Sequence, residues 1–366
     1  MITVKKTFSF PLPYPLERLG DPEKTVFFDI ETTGFSGASS SLYLIGCIYR
    51  RDGAWQFIQW FADGREAEKE CLTAFFQFLR DFSVLVHFNG DGFDIPYITK
   101  RLAAHGLSYD FSGVTSVDIY RLIRPYQKIL GLKSIRQKAV EDFLGVGRED
   151  KFNGGQLIEV YWEYVSNRDQ RLLHLLLLHN EDDLKGMPSI LPILFYRDFW
   201  EGQFSAPSPA MDSPADVFGR RHPQLSLTCT GSCRLPIPLS CEADRISMKA
   251  RDDTAVFTIP LLEDTLKYYY SDYKDYYYLP MEDRAIHKSV AQYVDRDARK
   301  KATKSTCYAK KAGLFLPQPA PIWEPCLRRD LKDPELFVPY SDELFQQKEA
   351  AGAYIRRLLE LLKRKA

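Results

Sequence analysis

Three short stretches of this 366-residue chain carry side chains whose types and spacing could do chemistry. In FFDIETTG, Asp29 and Glu31 lie two apart in a β-prone run, so on a strand both side chains leave the same face. Two carboxylates desolvated side by side repel, and a hard divalent cation such as Mg2+ or Mn2+ relieves that repulsion. On a strand with one wet face the pair would instead be solvated. In VLVHFNGDGFDIPYI an apolar strand breaks at Asn89-Gly90 and Asp94 stands where a helix begins. That position suits a ligand delivered by a strand end, or equally an N-terminal helix charge. In LLLLHNEDDLKG, Leu175–Gly186, an apolar run ends in His179, Asn180, Glu181, Asp182 and Asp183.

These groups need elements that bring them together. TVFFDIE reads as a strand closed by the turn TTGFSGASSS. SLYLIGCIYR and AWQFIQWFA are two more strands joined by RDG, which makes a three-strand antiparallel meander. EAEKECLTAFFQFLRDF has the apolar spacing of an amphipathic helix, SVLVHFNG is a buried strand, and FDIPYITKRLAAHG is a helix with a glycine stop. TSVDIYRLI supplies a fifth strand, and residues 131–200 read mostly as helix. This order predicts an α/β domain, a mixed five-stranded sheet flanked by helices.

Residues 1–24 then form an N-terminal extension and 25–203 the first domain. The Pro- and Ser-rich 204–221 form a linker, and 222–366 a second, β-rich α+β accessory domain. The second domain is expected to hold a basic helix across 283–301 and a terminal helix ending LLKRKA.

The net charge of zero excludes a protein that coats polyanions through overall charge. Seven scattered cysteines, an odd number, suit reduced thiols in a cytosol better than a disulfide framework. No signal-type h-region and no membrane-length apolar run is present, so a cytoplasmic protein is expected.

Asp-x-Glu on the first strand, Asn…Phe-Asp in mid-domain and an Asp near its end resemble the three motifs of DEDD-type exonucleases. These are the DnaQ-like members of the ribonuclease-H-like superfamily. Within it, FFDIETTGF, LIGC, HFNGDGFDIPYI, SVDIYR and HNEDDL are most similar to the YprB-type group. The resemblance covers residues 22–200. The region after 220 resembles a C-terminal extension that accompanies this domain in some bacterial proteins. The resemblance implies a ribonuclease-H-like fold and two divalent cations, Mg2+ or Mn2+, held by Asp29, Glu31, Asp94 and one late Asp. It also implies hydrolysis of phosphodiester bonds in single-stranded nucleic acid from a 3′ end.

Members of that family carry a His five residues, or a Tyr four residues, before the late Asp. His179 is four before Asp183, and i,i+4 residues share a helix face, whereas Asp182 is rotated by about 100°. The resemblance thus selects Asp183 as fourth ligand and sets His179 at the Tyr spacing. There it is a general base, a water-orienting group or a helix residue. Asn180, Glu181 and Asp182 are expected on the solvent side or as supports of the ligands. Asn89 is expected to orient Asp94, and Asp118 is a strand-end charge or a further site group. Thr32, Thr33 and Gly34 would wall the 3′-terminal nucleotide.

Two features lie beyond the first domain. Cys229, Cys233 and Cys241, with His222 upstream, lack the spacing of a zinc knuckle and read as thiols in strands. Residues 284–313 are rich in Lys and Arg, Lys300, Lys301 and Lys304 among them, and follow a tyrosine-rich run. Cations neutralise phosphates and aromatic faces stack on unpaired bases, so nucleic acid is the expected partner. Two other readings stay open: a structure-selective endonuclease on the same scaffold, and a nucleic-acid-binding protein with weak or no catalysis.

Overall fold

The computed structural model describes residues 1–147 and 154–365. The chain divides into two units, Met1–Arg197 and a second that begins at Asp198. The first contains β1 (Ile2–Phe8), β2 (Thr25–Thr32), β3 (Leu42–Arg51), β4 (Ala54–Phe61), α1 (Glu68–Leu79), β5 (Val84–His87) and α2 (Asp94–Ala104). It continues with β6 (Thr115–Asp118), α3 (Ile119–Ile123), α4 (Gln137–Leu144), α5 (Gly154–Asn167) and α6 (Gln170–Ile190), and α7 (Leu194–Glu201) runs across the division.

The sheet order is β1-β4-β3-β2-β5-β6. β1 through β4 pair antiparallel, while β2, β5 and β6 pair parallel, so the sheet is mixed as expected. The RDG connection is a two-residue hairpin loop in which Asp52 and Gly53 both have positive φ, 53° and 77°. Such a loop follows the twist of its strands and joins Arg51 directly to Ala54.

Six strands, not five, make the sheet. The sixth is β1, taken from residues expected to be an extension, and it pairs with β4 from Ile2↔Phe61 to Phe8↔Trp55. Its lysine-bearing, half-exposed pattern is that of an edge strand, and its partner lies some 50 residues away.

Alternation on β2 decides which way the acids face. Val26, Phe28 and Ile30 pack with Leu72, Phe75, Leu79 and Ile98 on the α1–α2 side. Burying each of the larger of these side chains stabilises by about 1.5–3 kcal/mol. Asp29 and Glu31 therefore point to the opposite side. There α5 and α6 cover Tyr43, Leu44 and Phe61 with Leu157, Tyr161, Leu173 and Leu176.

The second unit holds β7 (Ser208–Asp212), β8 (Gln224–Thr230), β9 (Leu239–Ala243), β10 (Ile246–Arg251), β11 (Thr254–Pro260), β12 (Leu262–Tyr269) and β13 (Tyr276–Leu279). It ends with β14 (Arg284–His287), α8 (Lys288–Ala291), β15 (Lys300–Lys301), β16 (Tyr308–Gln318), β17 (Leu336–Pro339) and α9 (Lys348–Lys365). These strands form sheets ordered β7-β8-β11-β10-β9, β12-β16-β17 and β14-β13-β15.

Two expectations are corrected here. Residues 208–212 of the expected linker form an edge strand on β8. The basic stretch 283–301 is mostly strand and turn, with one helical turn at α8, because β13 takes β14 and β15 as its partners. Tyr270, Tyr273, Tyr276 and Tyr278 pack there against Ala285, Ala302 and Cys307. Among the described residues no helix is long and apolar enough to cross a membrane.

Candidate active site

Four carboxylates come together beside β2. Asp29 and Glu31 come from the strand, Asp94 from the first turn of α2, and Asp183 from α6. Asp94 and Glu31 are buried, whereas Asp29 and Asp183 keep part of their surface open. Burial first, and then the charges of Asp94, Asp183 and Glu31, hold the Asp29 pKa well above the usual carboxylate value. One hydrogen bond opposes them, from Asn180 Nδ2 to Asp29 Oδ2 at 2.9 Å. Asp94 is pushed up to about 7 by burial, against the N–H groups of Asp94 itself and Ile30, and with a further upward push from Asp118.

His179 is 6% exposed and sits among these acids. Its Nε2 lies 3.6 Å from Asp183 Oδ2, one helical turn on, and 3.7 Å from Glu31 Oε1. Glu31, His179 and Asp183 present ligand atoms within 4.8 Å of one another.

The donor set fits a hard cation. Carboxylates that raise one another's pKa are surplus negative charge, and all four offer oxygen.

The structure adds residues that spacing alone did not expose. Tyr43 on β3 hydrogen-bonds Glu31, and burial with the charges of Glu31 and Asp29 raises its phenol pKa well above the usual value. Its ring stacks on Tyr161 at 4.4 Å. Asn180 is fully buried and donates to Asp29, so of its two expected positions it takes the one behind a site carboxylate, not the solvent side. Glu181 is likewise buried, contrary to a solvent-side position. Burial would raise its pKa, but ion pairs with Lys185 and Lys6 prevail and lower it.

Asn89 takes a left-handed φ of 64° and donates its backbone N–H to Asp118 Oδ1 at 2.9 Å. Its described hydrogen bonds run through the backbone, not from its side chain to Asp94. Asp118 caps α3 and is buried beside the site. A second group, His87, Asp91 and Asp118, lies where β5 and β6 end. Both His87 nitrogens are already engaged, Nδ1 by the Gly90 N–H at 3.0 Å and Nε2 by Ser116 Oγ at 2.7 Å. Burial lowers the His87 pKa, against the charges of Asp118 and Asp91.

Thr32, Thr33 and Gly34 leave the end of β2 in a pinned loop. Thr32 Oγ1 donates to the Gly34 carbonyl at 2.9 Å, and Thr33 exchanges bonds with Ser41. Phe35 follows, 90% exposed.

Lys300, Lys301 and Lys304 belong to the second unit and are exposed. Lys301 stands opposite Tyr277, over whose ring the Arg299 guanidinium lies 4.9 Å from the centroid. Cys229 on β8 and Cys241 on β9 are separated by β11 and β10. That is about 14 Å, too far to share one ion. Burial raises these thiols to about 12 and about 11.

Residues 26–194 match the model of the RNase_H superfamily. With the mixed sheet and flanking helices, this defines the first unit as an RNase H-like α/β domain. Over 88 residues the chain is 34% identical to DNA polymerase 1 of Sulfurisphaera ohwakuensis, covering 23% of this chain and 10% of the polymerase. It therefore spans about a tenth of that relative's length. Among solved structures, the family B DNA polymerase of Pyrobaculum calidifontis aligns with a TM-score of 0.39 at 14% identity, over 68% of this chain and 34% of the polymerase. E. coli exonuclease I in complex with an oligonucleotide aligns with a TM-score of 0.27 at 12% identity, over 57% and 55% of the two chains. Scores this low leave the fold assignment to the sheet and the family match.

Proposed function

We propose that the first unit is a metal-dependent nuclease of the YprB-type, DEDD group, acting as a 3′–5′ exonuclease on single-stranded nucleic acid. The observation that carries this reading is the convergence of Asp29, Glu31, Asp94 and Asp183 around His179. Asp29, Glu31, Asp94 and Asp183 would hold two divalent cations, Mg2+ or Mn2+. When bound, these supply an activated water and neutralise charge on the phosphate and the departing oxygen.

The chain's own groups have separable tasks. His179 Nε2 faces the carboxylates and is placed to orient the attacking water or accept its proton. Tyr43 fixes Glu31, and the backbone N–H of Ile30 fixes Asp94. Thr32, Thr33 and Gly34, with the exposed ring of Phe35, offer a wall and a stacking face to a terminal nucleotide. The exposed lysines of the second unit, with the half-buried Tyr277 beside them, are read as a further contact for nucleic acid. A cytoplasmic setting accompanies this reading.

The test is degradation of 5′-labelled and internally labelled DNA and RNA oligonucleotides with Mg2+ or Mn2+. A ladder of shortened products supports the exonuclease. Discrete internal cuts would replace it with an endonuclease, and binding without cleavage with a recognition module. An Asp29→Asn protein that cleaves as fast as wild type sinks the metal assignment.

A further inference from the structure

Two buried amides form a chain that ends on Asp29. Asn180 Nδ2 donates to Asp29 Oδ2 at 2.9 Å, and Asn180 Oδ1 accepts from Gln59 Nε2 at 2.9 Å. The same Gln59 Nε2 donates to the Leu177 carbonyl, also at 2.9 Å. Gln59 and Asn180 are fully buried. Asp29, Gly46 and Gln59 are cross-strand neighbours on β2, β3 and β4. The row of the sheet under α6 is thus a carboxylate, a position without a side chain, and an amide. A Cβ at position 46 would lie 2.0 Å from Asn180 Oδ1 and 2.4 Å from Leu184 Cδ1. The bare glycine is the slot in which the Asn180 amide rests.

The direction of the chain is dictated from one end. A backbone carbonyl only accepts, so Leu177 requires the NH2 end of Gln59. That NH2 then requires the oxygen end of Asn180, which turns the Asn180 NH2 toward Asp29. The arrangement leaves Gln59 Oε1 buried without a hydrogen-bond partner, a departure from the usual satisfaction of buried polar atoms. A leucine of similar size would remove that oxygen but would leave Asn180 Oδ1 without its donor and could not set the direction of Asn180.

We propose that Gln59 and Asn180 are positioning residues for the carboxylate site: they anchor one oxygen of Asp29 with a neutral donor and leave the other for a divalent cation. A neutral amide suits the task because it orients the carboxylate without supplying the charge that the cation must supply. A lysine or arginine at the same place would compete with the metal. The proposal rests on the cation-binding reading above.

The experiment is Mn2+ titration of the full chain, with free Mn2+ followed by electron paramagnetic resonance, alongside thermal melting. Gln59→Leu should weaken Mn2+ affinity about tenfold, the lower end of what such supporting contacts contribute, while the protein still melts cooperatively. Asn180→Ala should weaken it at least as much. The double variant should bind no more weakly than Asn180→Ala, because Gln59 acts only through Asn180. Wild-type Mn2+ affinity in a folded Gln59→Leu protein overturns the proposal, as do effects that multiply in the double variant. A wild-type protein that takes up no Mn2+ overturns the cation reading itself, and the proposal with it. Gln59→Leu decides the matter even if Asn180→Ala fails to fold.

Discussion

His179 Nε2 lies 3.7 Å from Glu31 Oε1, although the two residues are 148 positions apart and belong to a helix and a strand. The same nitrogen faces Asp183 at 3.6 Å, so the imidazole is held between two of the four acids. Replacing it with alanine should lower turnover by about 10²–10⁴, the range for a positioned acid–base group. His179→Tyr, which places a hydroxyl at that spacing, should fall between alanine and wild type. Turnover of labelled oligonucleotide by both variants at the wild-type rate would reduce His179 to a packing residue.

Asp183 and Asp182 provide an internal control one residue apart. Asp183 raises the Asp29 pKa and faces His179 one helical turn away, whereas Asp182 is rotated by about 100° around the helix. Asp183→Asn should cost about 10³ or more in kcat/KM, in keeping with the several kcal/mol a metal centre contributes. Asp182→Asn should stay within about threefold. The two rates, measured at saturating Mg2+, decide the fourth ligand, and the reverse order would move it to Asp182.

Stability of the metal-free protein should fall as pH rises. Asp94 is lifted from 3.8 to about 7 in the fold, and Asp29 also lies well above its usual value. A group whose pKa is raised by folding binds its proton more tightly when folded, so the folded state is favoured at low pH. That advantage fades as pH climbs through the folded pKa. For Asp94 alone the span is on the order of 4 kcal/mol at most. Glu68 and Glu181, both lowered, lose their contribution only below the usual carboxylate range and do not oppose this window, whereas His87, whose pKa burial lowers, opposes it as pH falls through the ordinary histidine value. In EDTA the melting temperature should rise by several degrees between pH 8 and pH 5.5, and Mg2+ or Mn2+ should flatten the slope. In a His87→Gln background, a melting temperature that falls on acidification over this interval contradicts the burial of the two acids.

Gly46→Ala should act on the site without touching a charged group. The added Cβ meets Asn180 Oδ1 at 2.0 Å and Leu184 Cδ1 at 2.4 Å, so these buried side chains, and α6 with them where they have no room to turn, must shift. Overpacking of this kind destabilises by about 1–3 kcal/mol, and the shift would carry Asn180, His179 and Asp183 together. Chemical denaturation should show the stability loss, and nuclease assays should show a larger relative loss of rate. Full rate together with full stability would mean that Asn180 and Leu184 give way to the methyl group without disturbing the site.

The sequence made the meander, the parallel strands and the acids legible because each is a local pattern. Asp29 and Glu31 are two apart on a strand, His179 and Asp183 four apart on a helix, and Asp52-Gly53 forms a turn of its own. What stayed hidden depends on neighbours distant in the chain. β1 is a short, lysine-bearing run whose only signal is its fit to β4. Tyr43, Gln59 and Asn180 matter because the register places them around Asp29 and Glu31, and no spacing within one segment encodes that. Glu181 looked like a solvated helix end until Lys6 of β1 reached it. The basic stretch after Asp283 had helical composition, but the tyrosines of β13 needed strand partners on both sides.

The second unit offers a separable prediction about binding. Lys300 and Lys301 stand opposite Tyr278 and Tyr277, and Arg299 lies over the Tyr277 ring. Lys300, Lys301 and Lys304 are exposed, so replacing them with glutamine should disturb the fold little. Each phosphate contact on a single strand contributes about 0.7 to the slope of log K against log salt. If all three lysines meet phosphates, the triple glutamine variant should bind single-stranded oligonucleotide more weakly, with a slope shallower by about 2. The measurement belongs in EDTA, where cleavage cannot interfere, with fluorescence anisotropy at several salt concentrations. Tyr277→Ala should weaken binding while leaving the slope unchanged, since stacking releases no counterions. An unchanged slope in the triple variant would remove these lysines from the interface. It would leave the proposal for the first unit's carboxylates untouched, because binding by the second unit and hydrolysis by the first are read in different assays.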